Sequence, residues 1–94
     1  MNELPSGLEA YKRTPVFTEE TVPAGLLKNH STKAGTWGLI HVEEGCLRYF
    51  VTDRARPPTS LDLKPEEPAG VVEPTIVHRV EPLGPVRFWV EFWR

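Results

Sequence analysis

The chain has 94 residues, with 13 acidic and 11 basic side chains and a formal net charge of -2. This length supports one domain with a small hydrophobic core, predicted to span residues 1–94. The acidic balance argues against general binding of nucleic acid or anionic membrane, because both require clustered positive charge. Residues 1–7 lack the order of a signal peptide, and no apolar stretch is long enough to span a bilayer. We therefore expect a cytoplasmic protein, and a single cysteine, Cys46, agrees with a reducing compartment.

Proline and glycine dominate the local pattern of the chain. Ten prolines and seven glycines interrupt every candidate helix and predict an all-β fold. Residues 10–17 are typical of an opening strand, which Pro15 restricts to a sheet edge because proline cannot donate a ladder hydrogen bond. Residues 23–27 allow at most one short helical turn before His30.

Alternating side chains predict a hairpin in the middle of the chain. Residues 37–43 alternate with period two, Gly45 offers a turn with positive φ, and residues 46–51 return as a second strand. His41 falls within this alternation and is interpreted as an ordinary strand residue. Residues 52–68 are polar and rich in proline, and only Ser60–Leu63 alternate as a strand would. This segment is interpreted as a long hairpin excursion.

The last strand has the clearest alternation. Apolar side chains occupy every second position and are predicted to face the core: Val86, Phe88, Val90 and Phe92. Trp89 and Trp93 then share the outer face. Two exposed tryptophans would form an apolar patch of the kind usually buried against a partner, so a homodimer through this face is predicted.

Two histidines 48 positions apart carry most of the chemistry, because each stands beside a segment with β pattern. A small barrel can bring His30 and His78 into one cavity. There they could be two ligands of a divalent ion, Zn, Fe, Mn or Ni, completed by Glu73 or Glu81 and by water. Glu81 lies three residues after His78, so it joins such a site only if a bulge intervenes. The alternative is two imidazoles that line the barrel mouth through hydrogen bonds, without a metal.

Three strings in the chain carry a family resemblance. They are residues 30–38 (HSTKAGTWG), 42–49 (VEEGCLRY) and 68–83 (PAGVVEPTIVHRVEPL). In this order they resemble the cupin-like domain at the N-terminus of the tellurite-resistance protein B methyltransferase, TehB, and its small stand-alone relatives of the YeaR type. The resemblance implies a conical antiparallel β-barrel, the double-stranded β-helix, which is often dimeric. It covers nearly the whole chain.

The site departs from the general cupin pattern. A full cupin metal site takes two histidines spaced by one residue, a carboxylate and a third histidine, whereas Thr32 here holds the place of the second histidine. The resemblance therefore implies at best a reduced metal site. Lys33 could hold an anionic ligand or be a solvated turn lysine, and the indole N–H of Trp37 offers one donor. Thr32, Lys33 and Trp37 form the predicted ligand pocket.

Three classes of function remain open. The first is a module that binds a small ligand, an oxyanion or a metal in the response to oxyanion or nitrosative stress, a role that the resemblance implies. The second is a metal-dependent enzyme, and the third is a non-catalytic dimeric interaction module. No glycine-rich loop for S-adenosylmethionine occurs between a strand and a helix, so methyl transfer is not expected of this chain alone.

Overall fold

The computed structural model describes residues 3–94, which consist mainly of strands and turns. Within them the elements are β1 (Ala10–Arg13), β2 (Phe17–Thr18), α1 (Ala24–Leu27), β3 (Trp37–Glu44), β4 (Leu47–Val51), β5 (Thr59–Leu63), β6 (Gly70–Val72), β7 (His78–Pro82) and β8 (Arg87–Trp93). The predicted all-β class is confirmed. Met1 and Asn2, which belong to the predicted domain and to the segment tested for a signal peptide, lie outside the described residues. No helix within residues 3–94 has the length and hydropathy needed to cross a membrane.

The strands form two antiparallel sheets. The larger sheet has the order β1-β8-β3-β6, and β2 also pairs with β8. The smaller sheet has the order β5-β4-β7. Pro15 lies between β1 and β2, and β1 is at an edge of the larger sheet, as the opening strand was expected to be.

The predicted hairpin of β3 and β4 is wrong. The two strands follow one another in the chain, but β3 pairs with β6 and β8, whereas β4 pairs with β5 and β7. Gly45, at φ 79°, carries the chain from one sheet to the other. Alternation is the same for a strand paired with its neighbour and for one that crosses to a facing sheet, so the sequence pattern could not distinguish them. The hairpin that does form joins β4 to β5 across residues 52–58.

Side chains from both sheets fill one apolar core. The buried hydrophobic residues are Ile40, Leu47, Tyr49, Leu63, Val72, Val80, Val86, Phe88 and Val90. The predicted inward face of the last strand is confirmed, because Val86, Phe88 and Val90 are buried and Phe92 packs partly buried against them. Phe88 has no exposed surface and contacts Phe17 edge to face, with ring centroids 5.6 Å apart.

The outer face of the larger sheet carries a stack of three side chains. Trp89 lies between His41, whose ring is stacked on it with centroids 4.1 Å apart, and Arg13, whose guanidinium carbon is 3.8 Å from the ring centroid. Trp93 donates its indole N–H to Glu91 at 3.0 Å. Both tryptophans are therefore half-buried by contacts within the chain.

Candidate functional site

His30 and His78 lie directly opposite one another. Their backbones exchange two hydrogen bonds, from the His30 N–H to the His78 carbonyl at 2.9 Å and from the His78 N–H to the His30 carbonyl at 2.8 Å. Opposite residues in an antiparallel pair have their side chains on the same face, so both imidazoles extend to one side. Their ring centroids are 4.1 Å apart at an interplanar angle of 65°. The structure thus places together the two histidines that the sequence singled out.

Backbone carbonyls fix the proton position on both rings. His30 Nδ1 is 2.8 Å from the Lys28 carbonyl oxygen, and His78 Nδ1 is 2.9 Å from the Ile76 carbonyl oxygen. Because a carbonyl oxygen can only accept, each Nδ1 carries a proton and donates it. In the neutral imidazole the lone pair is then on Nε2.

His78 is the buried member of the pair, with 3% of its surface exposed. Burial lowers its pKa, the hydrogen bond to the Ile76 carbonyl opposes the lowering, and the neighbouring His30 adds to it. In the described residues, no side-chain nitrogen or oxygen that is sealed from solvent lacks a hydrogen-bond partner. Among residues 3–94 the His78 Nε2 has no hydrogen-bond partner, so this atom is not sealed from solvent, and His78 is one of the residues that line the adjoining cavity.

A cavity of about 380 Å³ adjoins the histidine pair. Its apolar wall is formed by Ile40, Val72, Val80, Phe88, Val90 and Phe92. Lys12 and Lys33 contribute positively charged side chains to the lining, and both are exposed. Among the described residues that line this cavity there is no aspartate or glutamate. The volume is at the low end of ligand sites, which run from roughly 300 to 1,000 Å³.

The three residues of the predicted ligand pocket have different positions. Thr32 and Lys33 line the cavity beside the histidines, whereas Trp37 does not. Trp37 is the first residue of β3 and is paired with Trp93 of β8. The Thr32 hydroxyl donates to the Thr36 carbonyl at 2.7 Å, which fixes the turn that leads into β3.

The two predicted carboxylate ligands are not with the histidines. Glu73 accepts two hydrogen bonds from Arg56, at 2.7 and 3.3 Å. Glu81 is half-exposed and lies 3.9 Å from Arg79. The register of β7 with β4 is continuous, so no bulge turns Glu81 toward the side of His78. In residues 3–94 no group of three or more His, Cys, Asp or Glu side chains is arranged to hold a metal ion.

Sequence reasoning missed Lys12 and Tyr49. Lys12 comes to the cavity from β1, whose partner strand β8 is at the far end of the chain, so no local pattern could indicate it. Tyr49 packs on His78 with ring centroids 5.5 Å apart, and burial, together with the charge of Glu73, raises its pKa to about 12. Tyr49 alternates with Leu47 on the inward side of β4, and this parity was a usable signal.

Comparison with known proteins identifies the family. A family model described as the TehB-like domain matches residues 12–90. The chain belongs to the TehB-like domain family.

Two sequence relatives of this TehB-like domain are longer proteins. The protein named probable S-adenosyl-L-methionine-dependent methyltransferase TehB, from Haemophilus influenzae, is 36% identical over 78 residues, which are 82% of this chain and 27% of the relative. The protein of the same name from another strain of that species is 35% identical, with the same coverage. The chain therefore spans 27% of the length of the curated relatives that it matches.

Solved structures agree with this assignment. The crystal structure of TehB from Haemophilus influenzae superimposes with a TM-score of 0.85 at 31% identity, covering 94% of this chain and 32% of that one. The crystal structure of a protein from Escherichia coli superimposes with a TM-score of 0.87 at 23% identity, covering 100% of this chain and 97% of that one. At that identity, the second similarity shows the fold alone.

Proposed function

We propose that this TehB-like domain binds a small anionic ligand in the cavity beside His30 and His78. The charge of the cavity lining carries the proposal. Lys12 and Lys33 line the cavity and no carboxylate among the described residues does, although the whole chain has a net charge of -2. A concave site with one sign of charge concentrates ligands of the opposite sign. The apolar wall favours a ligand with some apolar surface.

The proposal is tested by titrating the protein with benzoate and with inorganic phosphate while backbone amide signals are followed by NMR. We expect saturable shifts at cavity residues such as Gly38 and Val72. The double variant Lys12→Gln, Lys33→Gln is expected to bind about tenfold more weakly, since it removes both lysine charges at the site. Lys64→Gln is the control, because Lys64 is exposed and does not line this cavity. If neither benzoate nor phosphate produces saturable shifts at the cavity residues, the proposal is contradicted.

A divalent metal ion is the second candidate, and the hydrogen bonds of the two Nδ1 atoms favour it. Histidines that bind metals almost always donate the other ring N–H to a carboxylate, carbonyl or water, and both rings here donate to a carbonyl. Zn, Fe, Mn or Ni could be held at the two Nε2 atoms. The fit is partial, because Glu73 and Glu81 are held elsewhere and supply no third ligand.

Elemental analysis of untagged protein, purified without chelator, tests the metal candidate. Near-stoichiometric metal that is lost in His30→Ala and in His78→Ala would support it. Wild-type protein that is free of metal and does not take up added Zn, Fe, Mn or Ni would reject it. A metal-dependent enzyme would first have to bind a metal at these histidines, so catalysis also stays a prediction.

We further propose that the two sheets form a cupin-like double-stranded β-helix. Cupins are jelly rolls, in which antiparallel strands form two facing sheets. The sheet orders β1-β8-β3-β6 and β5-β4-β7 support this assignment, because strands far apart in the chain are neighbours in each sheet. The bridge from His30 to β7 extends the smaller sheet toward a fourth strand.

The homodimer through Trp89 and Trp93 stays a proposal with reduced support. Arg13 and His41 cover Trp89 within the chain, so the apolar patch on which the expectation rested is smaller than two exposed tryptophans would make. Sedimentation of Trp89→Arg beside wild-type protein tests it, and an unchanged dimer in the variant would reject this face. A role in stress and a cytoplasmic location also remain predictions.

A further inference from the structure

The inner end of the cavity presents a hydrogen-bond acceptor. His78 lines the cavity and is 3% exposed, its Nδ1 donates to the Ile76 carbonyl, and its Nε2 has no hydrogen-bond partner within residues 3–94. Because the proton of the neutral ring is on Nδ1, where it is donated to the Ile76 carbonyl, the lone pair is on Nε2 and this atom accepts. The Nδ1 of the neighbouring His30 likewise donates to a backbone carbonyl, that of Lys28. An organic ligand in contact with the His78 Nε2 must therefore donate an O–H or N–H.

The wall beside the histidines is hydrocarbon. Ile40, Val72 and Val80 keep 3%, 3% and 4% of their surface exposed, Val90 keeps 9%, and the lining residues Leu26 and Phe92 are half-buried. A small inorganic anion surrounded by such a wall would lose its water without replacement hydrogen bonds, which is costly. A flat or branched hydrocarbon body gains from the same contact. The wall thus selects a ligand with an apolar middle.

The charged groups of the cavity are at its exposed rim. Lys12 comes from β1 and Lys33 from the turn before β3, and both side chains are exposed. The Thr32 hydroxyl already donates to the Thr36 carbonyl, so the two lysines are the stronger donors for an anion there. The rim therefore suits a carboxylate, which can keep part of its hydration.

We propose that the ligand is an organic monoanion with three parts in sequence: a carboxylate at Lys12 and Lys33, an apolar middle, and a hydroxyl or N–H that donates to Nε2 of His78. The small hydroxyaryl carboxylates have this chemistry. The proposal rests on the proposed function, because it names the class of anion that the same cavity takes. It also orients the ligand, with the donor innermost.

The test compares probes that differ by one group. Dissociation constants of meta- and para-hydroxybenzoate, benzoate and the two methoxybenzoates are measured by calorimetry at about pH 8, where imidazole is neutral. We expect one hydroxybenzoate to bind about tenfold more tightly than benzoate, as one buried hydrogen bond gives. Its methoxy analogue, which can only accept, should bind no better than benzoate. This comparison uses wild-type protein alone, so it does not depend on the folding of a variant.

Two variants test the orientation. In His78→Phe the ring remains and the acceptor is lost, so the preference for the hydroxybenzoate should fall to about onefold to twofold while benzoate still binds. In Lys12→Gln, Lys33→Gln the affinity for both carboxylates should fall, with their ratio preserved. Lys64→Gln is the matched charge control and should change neither quantity.

The outcomes separate the two proposals. Equal binding of benzoate and both hydroxybenzoates, with the lysine dependence retained, overturns the donor inference and leaves anion binding in the cavity intact. Tighter binding of inorganic phosphate than of any carboxylate also overturns the inference alone. If no probe, phosphate included, binds wild-type protein at millimolar concentration, then the proposed function fails and the inference fails with it.

Discussion

Gly45 lies where β3 ends and the chain crosses to the facing sheet, and its replacement tests this crossing. Its φ is 79°, a conformation that L side chains rarely adopt. A Cβ at this position would lie 2.1 Å from the Pro85 carbonyl oxygen and 3.1 Å from the Val86 Cα. Both contacts are with backbone, so a rotamer change cannot relieve them. Gly45→Ala therefore forces the β3–β4 turn away from the loop that precedes β8.

Gly35 provides the matched control. Its φ is 81°, and a Cβ there would meet nothing within 4 Å. Gly35→Ala should cost about 1–2 kcal/mol of unfolding free energy, which is the conformational penalty alone. Gly45→Ala carries the same conformational penalty. In addition, its Cβ would lie about 1.4 Å closer to the Pro85 carbonyl oxygen than a comfortable van der Waals separation of about 3.5 Å. Overpacking of this kind costs roughly 1–3 kcal/mol more, so we expect about 2–5 kcal/mol in total.

Urea denaturation followed by tryptophan fluorescence measures both values. A difference of about 2 kcal/mol between the variants corresponds to roughly 8–16 °C in melting temperature for a domain of this size. If Gly45→Ala and Gly35→Ala lower the unfolding free energy equally, the close approach of Gly45 to Pro85 has no energetic consequence. That result would refute a role for backbone contact at the crossing and leave the positive φ of Gly45 as its one requirement.

Three further predictions concern the residues around the site. Asp53 accepts the N–H groups of Val77 and Ala55, which lowers the pKa of its carboxyl from 3.8, so this stabilisation is present at higher pH and is lost as pH falls through the lowered value. Asp53→Asn should flatten that loss in urea denaturation at acidic pH, and an unchanged pH profile would contradict the assignment. Burial raises the pKa of Tyr49 to about 12, so the unfolded chain releases this proton first and stability should fall as pH rises above 10. In Tyr49→Phe that fall should be smaller, and phenolate absorbance should lose its highest step; a titration with no such step in wild-type protein would refute the burial argument. Phe88→Ala removes a side chain with no exposed surface and should cost about 3–5 kcal/mol in urea denaturation, whereas a cost below about 1 kcal/mol would show that Phe88 is not central to the core.

Local patterns in the sequence predicted much of the secondary structure. The alternation of residues 37–43 and 86–93 corresponds to β3 and β8, because side chains on a strand point alternately to core and solvent. The short helical turn is α1, and the strand at residues 60–63 is β5. The resemblance to the TehB family was also carried by the sequence alone.

Strand pairing was beyond local patterns. The sequence predicted a hairpin of β3 and β4, but the two strands are in different sheets. The same alternation serves either arrangement, and the close approach of Gly45 to Pro85, which is 40 residues away in the chain, leaves no mark in it. The positions of Glu73 beside Arg56 and of Lys12 at the cavity are likewise long-range outcomes.

By itself, the sequence determined the all-β class, which depends on period and composition, and the family, which depends on the motif strings; it also singled out His30 and His78 by residue type. Only the tertiary structure decided that the two imidazoles line one cavity, that Nδ1 of each donates to a carbonyl, and that no glutamate of residues 3–94 joins them in a metal-binding group. The physical reason is that a bridge between residues 48 positions apart forms through sheet register and core packing. The residues next to His30 and His78 in the sequence specify neither the sheet register nor the core packing.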